Sequence, residues 1–203
     1  MYNTCMNDSE YKGKLFLIVG PSGSGKGTVI DKLKDKYPGF VYPVSYTTRA
    51  PRDDEDDGLV YNFISKKKFE QMIKDGYLLE YAVVHSDNYY GTFKKEIVDA
   101  LRGGAVVIRE VDIQGFHSIQ KLLPKSSLVS IFMEVSDLEE LKVRILKRAD
   151  MSEGELKKRL VSALEEIAQK GDCDYQVENK WGELMAAVSS VEQIILDEIK
   201  DLY

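Results

Sequence analysis

The stretch that most limits what this chain can fold into covers residues 14–36, and its centre reads "GPSGSGKGT". A short apolar run, "KLFLIVG", ends in Gly-Pro and is followed by a helical pattern over residues 26–36, which predicts a buried strand, a tight loop and a helix. The glycines let successive N–H groups turn inward at the helix N-terminus, where Lys26 adds a positive charge. Because residues 20–26 match the pattern G-x-x-x-x-G-K in this context, the stretch predicts a phosphate-binding loop.

The residue after the lysine departs from the commonest form of such a loop. It is Gly27, whereas many phosphate loops have Ser or Thr there and bind Mg²⁺ through the hydroxyl. Either Thr28 replaces that hydroxyl, or Mg²⁺ is held mostly by water and nucleotide oxygens. The form "GKGT" resembles the loop of adenylate kinases and several other nucleoside monophosphate kinases. It therefore indicates phosphoryl transfer between small molecules rather than a switch GTPase.

Two more apolar runs of strand length, at residues 105–111 and 127–135, have helical sequence on both sides. Strands that alternate with helices argue for a parallel sheet with helices on both faces. We therefore predict an α/β fold whose phosphate-loop (P-loop) core is formed by residues 13–42, 93–136 and 170–203. An amphipathic helix over residues 183–200 closes the chain, and residues 1–12 are expected to be a mobile tail.

Two regions interrupt the alternation of strands and helices. Residues 43–92 contain short strand-like runs, an acidic loop and one helix over residues 66–75 capped by Ser65, which predicts a small mixed α+β insert. Residues 137–169 contain two helical segments joined near "ADMSEG", the first capped by Ser136. We predict that this second region is a helical lid.

Charge and cysteine usage narrow the partners and the compartment. The formal net charge is -6. Proteins that bind the nucleic-acid backbone are usually basic, so we expect no nucleic-acid partner. The two cysteines, Cys5 and Cys173, show neither metal-ligand spacing nor a disulfide framework. The N-terminus does not read as a signal peptide, and no run approaches the roughly 18 apolar residues of a membrane span. These features predict a cytoplasmic protein without a membrane partner. For the oligomeric state, both a monomer and a homodimer stay open.

A second cluster, "VSYTTRAPRDDEDDGLVYNF", contains Arg49 and Arg52 three positions apart beside a proline. Guanidinium groups bind a dianionic phosphate bidentately and stay charged at any working pH. Tyr61 in the same cluster can add a neutral hydroxyl donor. Since paired surface arginines are often only solvated, the cluster by itself leaves both interpretations open.

Five segments together resemble guanylate kinases: "GPSGSGKGT", "VSYTTRAPRDDEDDGLVYNF", "LLEYAVVHSDNYYGT", "EVDIQG" and "LKVRILKRAD" with the later "KKRL". The similarity runs from about Gly13 to the C-terminal helix, and the segments T-T-R-x-P-R and N-Y-Y-G-T are specific to that family and its descendants. The resemblance implies a Mg²⁺-dependent enzyme of purine nucleotide metabolism and GMP recycling. Such an enzyme transfers the γ-phosphoryl group of ATP to GMP, and to dGMP.

The resemblance also implies a role for each matching residue. The guanine base would be read by Ser45, Glu80 and Thr92. The GMP phosphate would be bound by Arg49, Arg52, Tyr61 and Tyr90. The region between the two substrates, near guanine and the water shell of the metal, would hold Glu110 and Asp112. ATP would be bound by Gly20, Pro21, Ser22, Gly23, Ser24, Gly25, Lys26, Gly27, Thr28, Arg144 and Asn179. Catalytic roles would fall to Lys26, Arg49 and two arginines of the lid, Arg148 and Arg159.

The chemistry of guanine agrees with this assignment, because a carboxylate such as Glu80 can accept from both N1–H and the exocyclic amine. The chain departs from the family pattern by one extra residue near His85, which affects the loop before Tyr90. The two lone histidines, His85 and His117, are expected on the surface or in packing, and Trp181 is expected to pack against the C-terminal helix.

Two other hypotheses stay open. A guanylate-kinase-like binding module keeps the fold but binds proteins, and such modules typically lose the loop lysine or the lid arginines. This chain keeps Lys26, Arg148 and Arg159. A related kinase with another acceptor, either a different nucleoside monophosphate or a phosphorylated sugar, is the second alternative. The combination of Ser45, Glu80 and Thr92 favours guanine over it.

Overall fold

The computed structural model of the protein describes residues 10–51, 56–58, 61–84, 87–135, 137–148 and 151–202. The side chains of Val84, Arg148 and Asp201 are outside this description. At the centre lies strand β1 (Lys14–Val19), in which every side chain after the first is buried. A strand with this burial pattern must be covered on both faces and flanked on both edges.

The strands around β1 form a four-stranded parallel sheet, the core sheet. It contains β6 (Val106–Val111), β7 (Leu128–Glu134) and β8 (Tyr175–Glu178) in the order β6-β1-β7-β8. The carboxyl ends of the parallel strands meet at one edge, the edge at which ligands bind in folds of this kind. The predicted parallel sheet is confirmed.

Four helices cover the two faces of the core sheet: α1 (Lys26–Lys36), α3 (Lys94–Arg102), α4 (Ile113–Gln120) and α7 (Leu184–Glu198). Alternate residues of β1 point to opposite faces. Leu15 and Leu17 pack with apolar residues of α3 and α4, whereas Phe16 and Ile18 pack with those of α1 and α7. The prediction of helices on both faces is therefore confirmed.

A second, mixed sheet precedes α3 in the chain and is called the insert sheet below. Its strands are β2 (Ser45–Thr47), β3 (Tyr61–Phe63), β4 (Leu78–Val84) and β5 (Asn88–Phe93), in the order β3-β2-β5-β4. Strands β2 and β3 are parallel, and the other pairs are antiparallel. Helix α2 (Lys66–Lys74) packs Phe69 under Tyr89 of this sheet, and the hydroxyl of Ser65 accepts from the N–H of Lys68, as the predicted cap requires.

Helices α5 (Leu138–Arg148) and α6 (Glu153–Ala168) lie in the region predicted as the lid. They share a small apolar cluster of their own, in which Leu141 and Ile145 of α5 meet Leu156 and Ala163 of α6. The hydroxyl of Ser152 caps α6. The cap predicted at Ser136 lies outside the described residues.

Most predicted elements are found within two residues of their expected ends. Strand β8 was not predicted, because among its four residues only Val177 is buried and no apolar run marks it. The prediction of a mobile tail over residues 1–12 is wrong for its last residues, since Tyr11 is buried in the core and the N–H of Lys12 donates to the carbonyl of Leu101. Residues 1–9 lie outside the described part. Among the described residues, no helix combines the length and the apolar character needed to cross a membrane.

Candidate active site

The phosphate-binding loop connects the buried strand β1 to the first turn of α1. Gly23 and Gly25 have φ angles of 88° and 92°, a backbone region that residues with a Cβ rarely adopt. A Cβ on Gly25 would also lie 2.3 Å from Nδ2 of Asn179, which is too close for any side chain. The loop glycines therefore allow both the turn and the close approach of β8, and they leave the N-terminal N–H groups of α1 at the carboxyl edge of the core sheet.

Side chains from three elements converge on this loop. The ammonium group of Lys26 donates to the carbonyls of Gly20 at 2.6 Å and Pro21 at 3.0 Å, which positions its charge beside the loop. Nδ2 of the buried Asn179 donates to the carbonyl of Ser24 at 2.9 Å. Nη2 of Arg144 donates to the carbonyl of Asn179 at 2.8 Å. The residues predicted to bind ATP are thus brought together in space.

A cleft of about 720 Å³ runs beside the loop and is called the larger cleft. Its lining joins the loop to β6, α5 and the end of β8, and includes Gly23, Gly25, Lys26, Gly27, Thr28, Glu110, Arg144, Lys147, Asn179 and Trp181. The expectation that Trp181 packs against the C-terminal helix is wrong. Its side chain is 53% exposed, with Nζ of Lys147 4.6 Å from the ring centroid and the guanidinium of Arg144 at 5.8 Å.

A second cleft of about 440 Å³, the smaller cleft, lies between the loop, the insert sheet and α6. It is lined by most of the residues predicted for GMP, namely Ser45, Arg49, Tyr61, Glu80, Tyr90, Glu110 and Asp112. The residues that line both clefts are Lys26, Ser45, Tyr61, Arg109 and Glu110. A group bound in one cleft is therefore close to a group bound in the other, and the loop lysine lies where they meet.

The predicted base readers form one hydrogen-bonded unit. Glu80 and Thr92 are cross-strand neighbours in β4 and β5, and the Thr92 hydroxyl donates to Oε1 of Glu80 at 2.5 Å. Glu80 is 9% exposed and Thr92 is fully buried. Burial raises the pKa of the Glu80 carboxyl, while the charge of Arg109 and the bond from Thr92 act against this rise. The Glu80 carboxyl group is therefore an almost fully buried hydrogen-bond acceptor in the wall of the smaller cleft.

The residues predicted to bind the acceptor phosphate also cluster. The guanidinium of Arg49 lies 5.4 Å from the ring centroid of Tyr61, and the Tyr61 and Tyr90 rings meet edge to face at 5.7 Å. Nη1 of Arg49 donates to the carbonyl of Ala50 at 2.7 Å. Arg52, the other predicted phosphate ligand, lies outside the described residues.

The lid region contributes Arg159 of α6 to the smaller cleft. Its Nη2 donates to Glu155 at 2.7 Å, whereas its buried Nε has no hydrogen-bond partner within the described part of the chain. A buried donor left in this state is costly unless a ligand satisfies it. Arg148 is the last residue of α5, and its side chain is outside the description.

Glu110 and Asp112 lie two positions apart at the carboxyl end of β6, where Asp112 is the first residue after the strand. Oε2 of Glu110 lies 3.6 Å from the position that a Cβ on Gly27 would occupy, so a carboxylate stands beside the point where other loops carry a hydroxyl. Asp112 also has a structural role, because its Oδ1 caps α4 by accepting from the N–H of Gly115 at 2.7 Å.

Arg109 and Glu166 are buried or partly buried charged residues of the site that were not found from the sequence. Arg109 of β6 is 5% exposed and donates to Thr92, Ser45 and the carbonyl of Pro43. Glu166 of α6 lines the smaller cleft, and burial raises its pKa to about 6. A charge within the apolar run "AVVIREV" was a usable signal for Arg109, because unpaired charges are rarely buried. No such signal marked Glu166, because a charged residue on the face of a helix is usually exposed to solvent.

Comparison with known proteins identifies relatives over most of the chain. The guanylate kinase family model matches residues 12–198. The guanylate kinase of Clostridioides difficile (strain 630) is 42% identical over 187 residues, which cover 92% of this chain and 89% of the relative. That of Carboxydothermus hydrogenoformans is 40% identical over 189 residues, which cover 93% of this chain and 90% of the relative.

One solved structure agrees with the sequence relatives in its fold. The crystal structure of guanylate kinase from Anaplasma phagocytophilum superimposes with a TM-score of 0.73 at 25% sequence identity. The match covers 95% of this chain and 89% of that one.

Proposed function

The chain belongs to the guanylate kinase family, and from that premise we propose that it transfers the γ-phosphoryl group of ATP to GMP, giving ADP and GDP. The observation that carries the proposal is the meeting of the two clefts at Lys26. One cleft contains a phosphate-binding loop, and the other is lined by the buried carboxylate of Glu80 and by the cluster of Arg49, Tyr61 and Tyr90. This arrangement fits two nucleotides that meet through their phosphates.

The larger cleft would bind ATP. The loop N–H groups and the charge of Lys26 suit the β- and γ-phosphates. Arg144 lies beside Asn179 and Trp181 on the other side of this cleft, where the rest of the nucleotide would extend. Because Asn179 already bonds to the loop through Nδ2, we assign it the support of the loop as well as the predicted contact with ATP.

The smaller cleft would bind GMP. Glu80 would accept from N1–H and the exocyclic amine of guanine, with Ser45 and Thr92 beside it. Arg49, Tyr61 and Tyr90 would bind the phosphate, together with Arg52. Adenine offers no N1–H at this position, so the carboxylate would be left without a donor, which is costly for a buried charge.

The reaction requires alignment and charge neutralisation more than proton transfer. An oxygen of the GMP phosphate, already ionised, forms the new bond to the γ-phosphorus, and the bond from that phosphorus to the β–γ bridging oxygen breaks to release ADP. Lys26, Arg159 and Arg148 would neutralise the charge that develops on the transferred group. The lid helices would exclude water, which otherwise would hydrolyse ATP.

The donor set near the loop fits a magnesium ion held mainly through water. Among the described residues, no group of three or more His, Cys, Asp or Glu side chains could hold a metal directly. Glu110 lies beside Gly27, where it and Asp112 would accept hydrogen bonds from waters on the ion, with Thr28 as the nearby hydroxyl. When bound with ATP, Mg²⁺ would neutralise charge on the β- and γ-phosphates.

An assay of ADP release tests the proposal. Purified protein is given ATP and Mg²⁺ with GMP, dGMP, AMP, UMP or CMP in turn, and we expect turnover with GMP and dGMP only. Equal rates across the bases would refute the guanine assignment. No turnover with any of the five acceptors would instead favour the binding module.

Glu80→Gln tests the base reader within the same assay. The amide keeps the shape but loses the charge, so kcat/KM for GMP should fall about 10- to 100-fold, the usual range for one charge-assisted hydrogen bond. Glu70→Gln, on the exposed side of α2, is the matched control and should leave kcat/KM unchanged. Unchanged selectivity in Glu80→Gln would contradict the assignment. The cytoplasmic location and the monomeric or homodimeric state stay predictions.

A further inference from the structure

Arg109 is a buried charge for which phosphoryl transfer supplies no role. It lies in β6, at the edge of the core sheet, and points to the same face as Val107 and Val111, which belong to the apolar core. A guanidinium that is 5% exposed must satisfy its donors inside the protein. Its partners therefore indicate what it does.

All three partners of Arg109 belong to β2, β5 or the segment that leads into β2. Nε donates to the Thr92 hydroxyl at 2.6 Å, Nη2 donates to the Ser45 hydroxyl at 2.5 Å, and Nη1 donates to the carbonyl of Pro43 at 2.8 Å. One side chain of the core sheet thus holds two of the three proposed guanine readers. It also fixes their distance from each other across the insert sheet.

The bonds from Arg109 determine the direction in which each hydroxyl proton points. A guanidinium can only donate, so both hydroxyl oxygens accept from it and must direct their own hydrogens elsewhere. The Thr92 hydrogen goes to Oε1 of Glu80. The Ser45 hydroxyl lines the smaller cleft and has no acceptor among the described residues, so its hydrogen is available to a ligand there.

A donor hydroxyl beside an acceptor carboxylate matches guanine. Guanine presents O6 as an acceptor next to the N1–H donor, whereas adenine presents an amine at that position. Resting on the proposed function, we propose that Arg109 is a positioning residue that sets guanine selectivity, by fixing the Ser45 hydroxyl as a donor toward O6 and the Thr92 hydroxyl as a donor toward Glu80. The charge of Arg109 also favours the ionised form of Glu80, because it acts against the rise in pKa that burial causes.

The first test compares Arg109→Leu and Arg109→Lys with the wild-type protein. Without the guanidinium, the Ser45 hydroxyl can rotate and accept from an amine, so the GMP-to-AMP ratio of kcat/KM should fall by about tenfold or more. The effect should appear in KM for GMP, with KM for ATP unchanged. Arg109→Lys keeps a positive charge but not the planar set of guanidinium donors, so it should show an intermediate loss of selectivity for GMP over AMP. The acidic limb of kcat/KM for GMP should move to higher pH in Arg109→Leu, because Glu80 loses the charge that favours its ionised form.

A double-mutant cycle separates this role from general support of the fold. In a Ser45→Ala background the hydroxyl is absent, so Arg109→Lys should cost GMP binding much less than it does in the wild-type protein. Arg102→Leu, at an exposed arginine of α3 outside both clefts, is the matched control and should leave both KM values unchanged. Additive losses, or equal rises in KM for both nucleotides, would overturn the inference. A wild-type protein that turns over GMP no better than AMP would overturn the proposed function instead.

Discussion

Nδ2 of Asn179 donates a hydrogen bond to the carbonyl oxygen of Ser24 across 2.9 Å, and this bond fastens the end of β8 to the phosphate-binding loop. Asn179 is 4% exposed, and its own carbonyl accepts from Arg144 of α5. The loop, the core sheet and the lid region are therefore joined through one buried residue.

Asn179→Ala should loosen this junction. The buried carbonyl of Ser24 would lose its donor, so we expect the free energy of unfolding to fall by about 1–3 kcal/mol. KM for ATP should rise several-fold, while KM for GMP changes little, because only the larger cleft contains Asn179. Gln176→Ala, at an exposed position of β8, is the control. Urea unfolding and steady-state kinetics provide the measurements, and an unchanged KM for ATP would contradict the prediction.

Lys26→Ala should reduce kcat without a comparable effect on folding. Its ammonium group lies where the two clefts meet, and removing one charge that stabilises the transition state lowers kcat by about 100- to 1,000-fold. Lys32→Ala, on the exposed side of the same helix, should retain wild-type rates. A kcat within a few-fold of the wild-type value would remove Lys26 from the catalytic group.

Trp181 should report ATP binding by fluorescence. It is the only tryptophan of the chain, it is half exposed, and it lines the larger cleft but not the smaller one. We expect a saturable change in emission on titration with ATP and a much smaller change with GMP alone. The same amplitude for both nucleotides would mean that the two clefts are not separate donor and acceptor sites.

Glu166 should make stability depend on pH. Burial raises its pKa from 4.5 to about 6, so folding favours the protonated form. Its contribution is fully present below pH 4.5 and is lost as the pH rises through about 6. Glu166→Gln mimics the protonated form, so the variant should be more stable than the wild-type protein at pH 7.5, by about 1 to 2 kcal/mol.

Urea unfolding at pH 5 and pH 7.5, without nucleotide, measures this difference. Glu165→Gln changes the exposed neighbour on the same helix and should show no comparable dependence on pH. If the advantage of Glu166→Gln did not grow with pH, the burial of an ionised Glu166 would not be the cause.

Much of the fold could be predicted because it rests on local patterns. The bounds of α1 and the cap of α2 at Ser65 follow from glycine, serine and apolar spacing within a few residues. Strand β8 was missed because its burial depends on β7 and α7 rather than on its own composition. Tyr11 was missed for a similar reason, since the core that covers it is formed by distant residues.

The candidate site also combines features that a local sequence pattern predicts with contacts that no local pattern predicts. The phosphate-binding loop could be predicted from local sequence, because four glycines, a lysine and the start of a helical pattern lie together within nine residues. Three other features depend on contacts in the folded chain: Arg109 bonds to Ser45 and Thr92, Asn179 supports the loop, and Trp181 is exposed beside the larger cleft. These contacts join residues far apart in the chain. The Arg109 contacts depend on how the two sheets pack together, and those of Asn179 and Trp181 depend on how the end of β8 meets the loop and α5, which no local pattern specifies.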